Sequence, residues 1–144
     1  MATYTDELAI GAPPEQVWAV LSDVERWPLW TASMTSVKLV GPGPLAVGVA
    51  VRVHQPRLPA LTWTVDELVP GRLFTWSSRS VGTASRAEHE VVPSAGGCRV
   101  TLTLVQSGPL AGVAALGYGR LTRRYLRMEL EGLRSQVCGT HAIP

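Results

Sequence analysis

The stretch Ala12-Pro13-Pro14-Glu15-Gln16-Val17-Trp18, followed after a short gap by Asp23-Val24-Glu25-Arg26-Trp27-Pro28-Leu29-Trp30, constrains the fold more than any other part of the chain. Proline fixes φ near about −65° and carries no N–H, so within a helix a proline pair is tolerated only at the first turn, where those donors have no partner anyway. A helix therefore begins straight out of the alternating strand Tyr4 to Ile10. Ser22 and Glu25, three residues apart, read as a capping box for a second, very short helix, which Pro28 should stop by the residue before it. Strand, helix, kink and helix in that order is an uncommon opening.

From Trp30 onward the apolar pattern switches to a period of two, with Gly or Pro at each break, as in an antiparallel meander joined by hairpins. Strands are expected over Met34 to Val40, Val49 to His54, Leu61 to Asp66, Leu73 to Arg79, Thr83 to Val92 and Arg99 to Gln106, giving seven with the first. Ser107-Gly108-Pro109 repeats the helix-start chemistry, and Leu110 to about Val137 reads as one long helix ended by Gly139. Gly112, Gly117 and Gly119 weaken its first half by about 1 kcal/mol each relative to Ala. Such glycines serve either close packing or mobility, and packing is the commoner reason.

The chain of 144 residues fits one domain, 1–138, with a tail at 139–144 that includes His141. A hydrophobic content of 46% against 17% charged residues argues for a packed core rather than disorder. A net charge of +2 is too small for a protein that tracks phosphates, so no nucleic-acid partner is expected. No apolar run is long enough for stable membrane insertion, and the first residues lack a basic n-region, so a cytoplasmic location is expected. Cys98 and Cys138 fit no metal or Cys-x-x-Cys spacing and are expected as free thiols, with a disulfide the minor alternative. No phosphate-binding glycine loop, Ser-centred elbow or His/Cys/carboxylate cluster is present, so neither metal nor cofactor is expected. Exposed sheet edges leave monomer and homodimer both open.

Seven antiparallel strands and one long helix make an α+β layer, and a twisted sheet wrapped around a single helix encloses volume. Strand parity gives an inner face of Val49, Val51, Val53 and Gln55, then Leu61, Trp63 and Val65, then Phe74, Trp76 and Ser78. Ala87, His89 and Val91 continue it, as do Val100, Leu102, Leu104 and Gln106. On the helix, Arg120, Arg123, Arg124 and Arg127 recur at i, i+3, i+4 and i+7, a stripe that should face solvent. The opposite face then carries Ala111, Ala115, Tyr118, Thr122, Tyr125, Glu129 and Gln136, flanked by Leu121, Leu126 and Leu133. Hydroxyls and a carboxylate toward the sheet point to a cavity with polar contacts rather than a solid core. Alternatively, Glu129 reaches solvent past the sheet edge.

With the opening motifs, Gly48-Val49, Pro70-Gly71-Arg72 and Ser107-Gly108-Pro109-Leu110, the chain resembles the polyketide cyclase/dehydrase branch of the START-like (SRPBCC) superfamily over nearly its whole length. The resemblance implies a helix-grip fold: a curved seven-stranded antiparallel sheet around a long C-terminal helix, with two short helices after the first strand and a deep hydrophobic cavity. Two functions are then in competition. One is the binding of a small hydrophobic ligand, polyketide-like or aromatic, by Trp27, Trp30, Val51, Val53, Gln55, Trp63, Phe74, Trp76, His89, Leu102, Gln106, Tyr118, Thr122, Tyr125 and Glu129. In this reading Trp27-Pro28-Leu29-Trp30 forms the rim. The other is cofactor-independent cyclase or aromatase chemistry on a poly-β-keto chain, with His89 moving protons and Tyr125 and Glu129 holding a keto oxygen. A third class, an interaction protein with a collapsed cavity, would show no pocket above roughly 300 Å³.

Overall fold

A computed structural model describes residues 1–139; the tail from position 140, with His141, lies outside the described residues. The strands are β1 (Ala2–Ile10), β2 (Ser36–Leu39), β3 (Ala50–His54), β4 (Leu61–Val69), β5 (Leu73–Ser80), β6 (Thr83–Ser94) and β7 (Gly97–Ser107). They form one antiparallel sheet in the order β1-β7-β6-β5-β4-β3-β2. Between β1 and β2 come α1 (Pro14–Ser22) and a 3₁₀ helix (Val24–Leu29), and the chain closes with the 28-residue α2 (Ala111–Cys138). The helix-grip architecture expected from the resemblance is the one observed. α2 packs against β1, β7 and α1, and Gly139 ends it at φ 66° in the left-handed region.

Local chemistry accounts for where the elements differ from expectation. Pro14 sits in the first turn of α1 as anticipated, but the capping box does not form. Ser22 still belongs to α1, and the next helix restarts at Val24 behind Asp23, which makes no side-chain cap. Glu25 instead accepts the Leu39 N–H at 2.8 Å and so occupies a donor of the sheet-edge strand β2. Pro28 does not stop the second helix but lies inside it. A short 3₁₀ turn loses only one donor to a proline, and the Trp27 carbonyl takes both the Trp30 and Thr31 N–H groups at 3.0 Å. β4 runs to Val69 because a bulge between Val65 and Glu67 absorbs the change of register. β6 runs through Pro93, which lies beyond the last pairing with β5 and so interrupts no ladder there.

The inner strand faces are those read from parity, with Val51, Val53, Trp63, Val65, Phe74, Trp76, His89, Val91, Val100 and Leu102 all buried. The arginine stripe is only partly free. Arg120 and Arg124 are exposed, but Arg123 lies over the Tyr4 ring at 5.0 Å and Arg127 is half-buried, its Nε donating to Asp6 at 3.0 Å. Both partners come from the helix-facing side of β1, which runs along that flank of α2. Gln136 is exposed rather than inward, because the last turns of α2 pack through Leu130, Leu133 and Val137 on the end where α1 lies.

The helix glycines also separate into different roles. Gly112 and Gly117 meet no atom where a Cβ would stand, so the close-packing reason does not apply to them, and Gly119 only approaches the Tyr4 hydroxyl. The close approach is at Gly132, where a Cβ would overlap the Trp30 carbonyl.

A half-polar cavity under the C-terminal helix

One end of the grip is solid. Trp27 is completely buried, its Nε1 donates to the Leu21 carbonyl at 2.9 Å, and its ring packs against Trp30, Phe74, Trp76 and His89 at centroid distances of 5.4–6.3 Å. The Trp27 to Trp30 segment is therefore a plug and not a rim. Trp18 adds an edge-on contact to Phe74 at 6.0 Å. The α1 carbonyl of Leu21 lets the Trp27 ring be buried without an orphan donor, whereas the Trp30 Nε1 is buried with no partner among the described residues.

The other end is hollow. A cavity of about 210 Å³ lies between the sheet and α2, with Trp27, Trp76, His89, Leu102 and Glu129 among its lining. Val53, Gln55, Trp63, Gln106, Tyr118, Thr122 and Tyr125 line it as well. Trp30, Val51 and Phe74, placed with these by parity and motif, do not line it. Val51 and Phe74 are consumed by the packed core, and Trp30 lies against α2 beneath Gly132. The lining also includes Met34 and, from the β3–β4 loop, Leu58 and Pro59, which no periodicity marks.

His89 and Glu129 are both buried and line this space. His89 stacks on Phe74 with ring centroids 4.2 Å apart and planes 11° apart, and its Nδ1 is 3.3 Å from the Phe74 carbonyl. A carbonyl only accepts, so Nδ1 carries the proton and Nε2 is the acceptor. Burial holds the imidazole down to about 4, against the raising effect of the Phe74 bond. Glu129 is buried in the middle of α2 with no protein hydrogen-bond partner among the described residues, so the solvent-exposed alternative does not apply. Burial pushes its carboxyl up to about 8. At pH 7 the cavity thus presents a carboxylic acid that donates and an imidazole that accepts, with roughly a tenth of Glu129 ionised. Tyr125 has its hydroxyl committed: it donates to the Pro56 carbonyl at 2.5 Å, tying the β3–β4 loop down on α2.

Cys98 is buried, Cys138 is exposed, and both are free thiols. Among the described residues no group of three or more His, Cys, Asp or Glu is placed to hold a metal ion, and no helix is long and apolar enough to cross a membrane.

Comparison with known proteins gives the same architecture. The uncharacterized protein Rv2574 of Mycobacterium tuberculosis is 33% identical over 138 residues, covering 90% of this chain and 80% of that protein. Among solved structures, the Zhui aromatase/cyclase from Streptomyces sp. R1128 superposes with a TM-score of 0.76 at 17% identity, covering 94% of this chain and 93% of that one. TTHA0849 from Thermus thermophilus gives 0.76 at 19% identity, covering 96% and 98%. At such identities the likeness is one of fold. Residues 1–137 match the model of the family described as "Polyketide cyclase / dehydrase and lipid transport", and the chain belongs to that family.

Proposed function

We propose that this protein binds a small, ring-bearing hydrophobic molecule carrying one polar oxygen, in the cavity under α2 and without covalent chemistry. The observation that carries this reading is the pairing, in one apolar space, of a buried carboxyl with no protein partner and a neutral imidazole whose Nδ1 is already engaged. A ligand hydroxyl that accepts from Glu129 and donates to His89 Nε2 would take the place of water on both groups. Trp63 and Trp76, with centroids 6.0 Å apart, supply flat apolar surface for the ring. The volume of about 210 Å³ exceeds the roughly 150 Å³ apolar cavity that admits benzene, so one or two fused rings are the expected size. It falls short of the roughly 300 Å³ that separates a ligand site from a collapsed cavity, which is the observation in favour of the interaction-protein reading.

Calorimetric titration with 2-naphthol and naphthalene tests the proposal. The hydroxylated ring should bind about tenfold more tightly, equivalent to one satisfied buried hydrogen bond, and His89→Phe and Glu129→Gln should reduce that preference. Equal affinities for the two rings would refute the polar pairing, and absence of binding by either would leave the interaction-protein reading.

The second reading, cyclisation or dehydration of a poly-β-keto chain, has one specific observation behind it. A carboxyl held near 8 is suited to exchanging protons close to neutral pH, whereas an imidazole held near 4 is a weak base. Glu129 is then the proton carrier, and Tyr125 serves to hold the loop. Turnover that disappears in Glu129→Gln while ring affinity persists would establish this reading over simple binding.

A further inference from the structure

Outside the cavity, Arg57, Arg120 and Arg124 line one open groove of about 360 Å³ between the β3–β4 loop and α2, together with Tyr118. None of the three has a carboxylate partner among the described residues, which is true also of Lys38, Arg52, Arg72, Arg79, Arg123 and Arg134, but these three line a single groove. Like charges gathered without a counter-ion repel one another, and an anion in the groove relieves that. The loop conformation supports the gathering. Arg57 is the one non-glycine residue with positive φ among the described residues, at 68°, a conformation costing roughly 1–2 kcal/mol for an L-residue. It is held between the Tyr125–Pro56 bond and the turn in which the Leu58 N–H reaches the Gln55 carbonyl at 3.2 Å.

The groove adjoins the cavity at Tyr118, which lines both, and Gln55, Leu58 and Pro59, which flank Arg57 in the loop, line the cavity. The cavity itself contains no Arg or Lys. A charged group carried inside would lose its hydration with no ion partner to replace it, so it has to stay at the mouth. Three arginines without a carboxylate partner, Arg57, Arg120 and Arg124, are gathered in the adjoining groove.

Resting on the cavity as a ligand site, we infer that the ligand is an amphiphilic anion: an apolar ring system lies in the cavity, and an acid group of the same molecule, carboxylate, sulfonate or phosphate, is held at the mouth by Arg57, Arg120 and Arg124. The concave groove at the end of an apolar cavity fits one acid group tethered to a ring.

Two fluorescent probes differing in one acid group, each within the two fused rings the cavity holds, provide the test: naphthalene-2-sulfonate and uncharged naphthalene. At low salt the full chain should prefer the sulfonate about tenfold, the product of three exposed ion pairs of roughly two- to threefold each. The variant R57Q/R120Q/R124Q, whose changes are all on the exposed surface, should lose that preference and bind the neutral probe as before. Salt at about 0.5 M should weaken the sulfonate alone. Filling the cavity with Ala87→Phe, or with Leu104→Trp as a second filler, should weaken both probes. An unchanged preference in the triple variant overturns the inference while leaving the cavity reading intact. Sulfonate binding that survives both fillers also overturns it, since the anion then binds without its ring in the cavity. If neither probe binds the unmodified chain, the cavity reading itself fails.

Discussion

Glu129→Gln should change how stability depends on pH in a way that follows from burial alone. In the unfolded chain this carboxyl titrates at its ordinary value of 4.5, whereas in the native state burial raises it to about 8. Between those values unfolding releases a proton, so stability falls as pH rises, by about 1.4 kcal/mol per pH unit. The contribution is complete below 4.5, sums to on the order of 5 kcal/mol across the window, and is gone above 8. His89 acts in the opposite sense. Its native value is depressed from 6.5 to about 4, so its contribution is complete above 6.5 and lost as pH falls through 4. From 4.5 to 6.5 the two slopes oppose each other and stability should be nearly flat; above 6.5 only Glu129 acts. From pH 6.5 to 9 the unmodified protein should therefore lose about 2 kcal/mol, or roughly 4–8 °C in Tm, that the glutamine variant does not lose. Urea unfolding followed by tryptophan fluorescence reads this, because Trp27, Trp63 and Trp76 are all buried in the native state. A difference between the two proteins that stays constant from pH 6.5 to 9 would refute a neutral, buried Glu129.

Two helix glycines should respond to the same substitution with opposite sign. Gly117→Ala adds a methyl where no atom stands within 4 Å and should stabilise by about 1 kcal/mol, whereas Gly132→Ala drives a methyl into the Trp30 carbonyl and should cost on the order of 2 kcal/mol, both measured as shifts in urea midpoint at constant slope. Tyr125→Phe leaves the Pro56 carbonyl without its donor and should cost about 1 kcal/mol. Amide exchange should speed up selectively in the loop between β3 and β4, and an unchanged exchange rate there would show that Tyr125 does not hold it.

Much of this fold is legible in the amino-acid order because local chemistry decides it. Period-two alternation places Trp63, Trp76, His89 and Leu102 on one sheet face whatever the strands pair with, and Pro13-Pro14 confines any helix there to one that starts at the pair. The polar stripe Tyr118, Thr122, Tyr125 and Glu129 on an otherwise core-facing helix already marks a hollow, since a solid core would not accept a lone carboxyl there. Periodicity, however, carries no information about depth. It cannot tell that Phe74 and Val51 end in packed core while Trp76 and Val53, two residues away on the same faces, border empty space. Only tertiary contact decides that Trp27 is a plug at the closed end, that Gly132 rather than Gly117 is the close approach, and that the Tyr125 hydroxyl is spent on a loop carbonyl 69 residues away. The four arginines share one helix face by spacing alone, but β1 and the β3–β4 loop divide them. Asp6 and Tyr4 engage Arg127 and Arg123, and the loop's own Arg57 joins Arg120 and Arg124 in one groove beside Tyr118. Spacing places side chains on a face of one element; what that face meets is decided by chain that is distant in sequence.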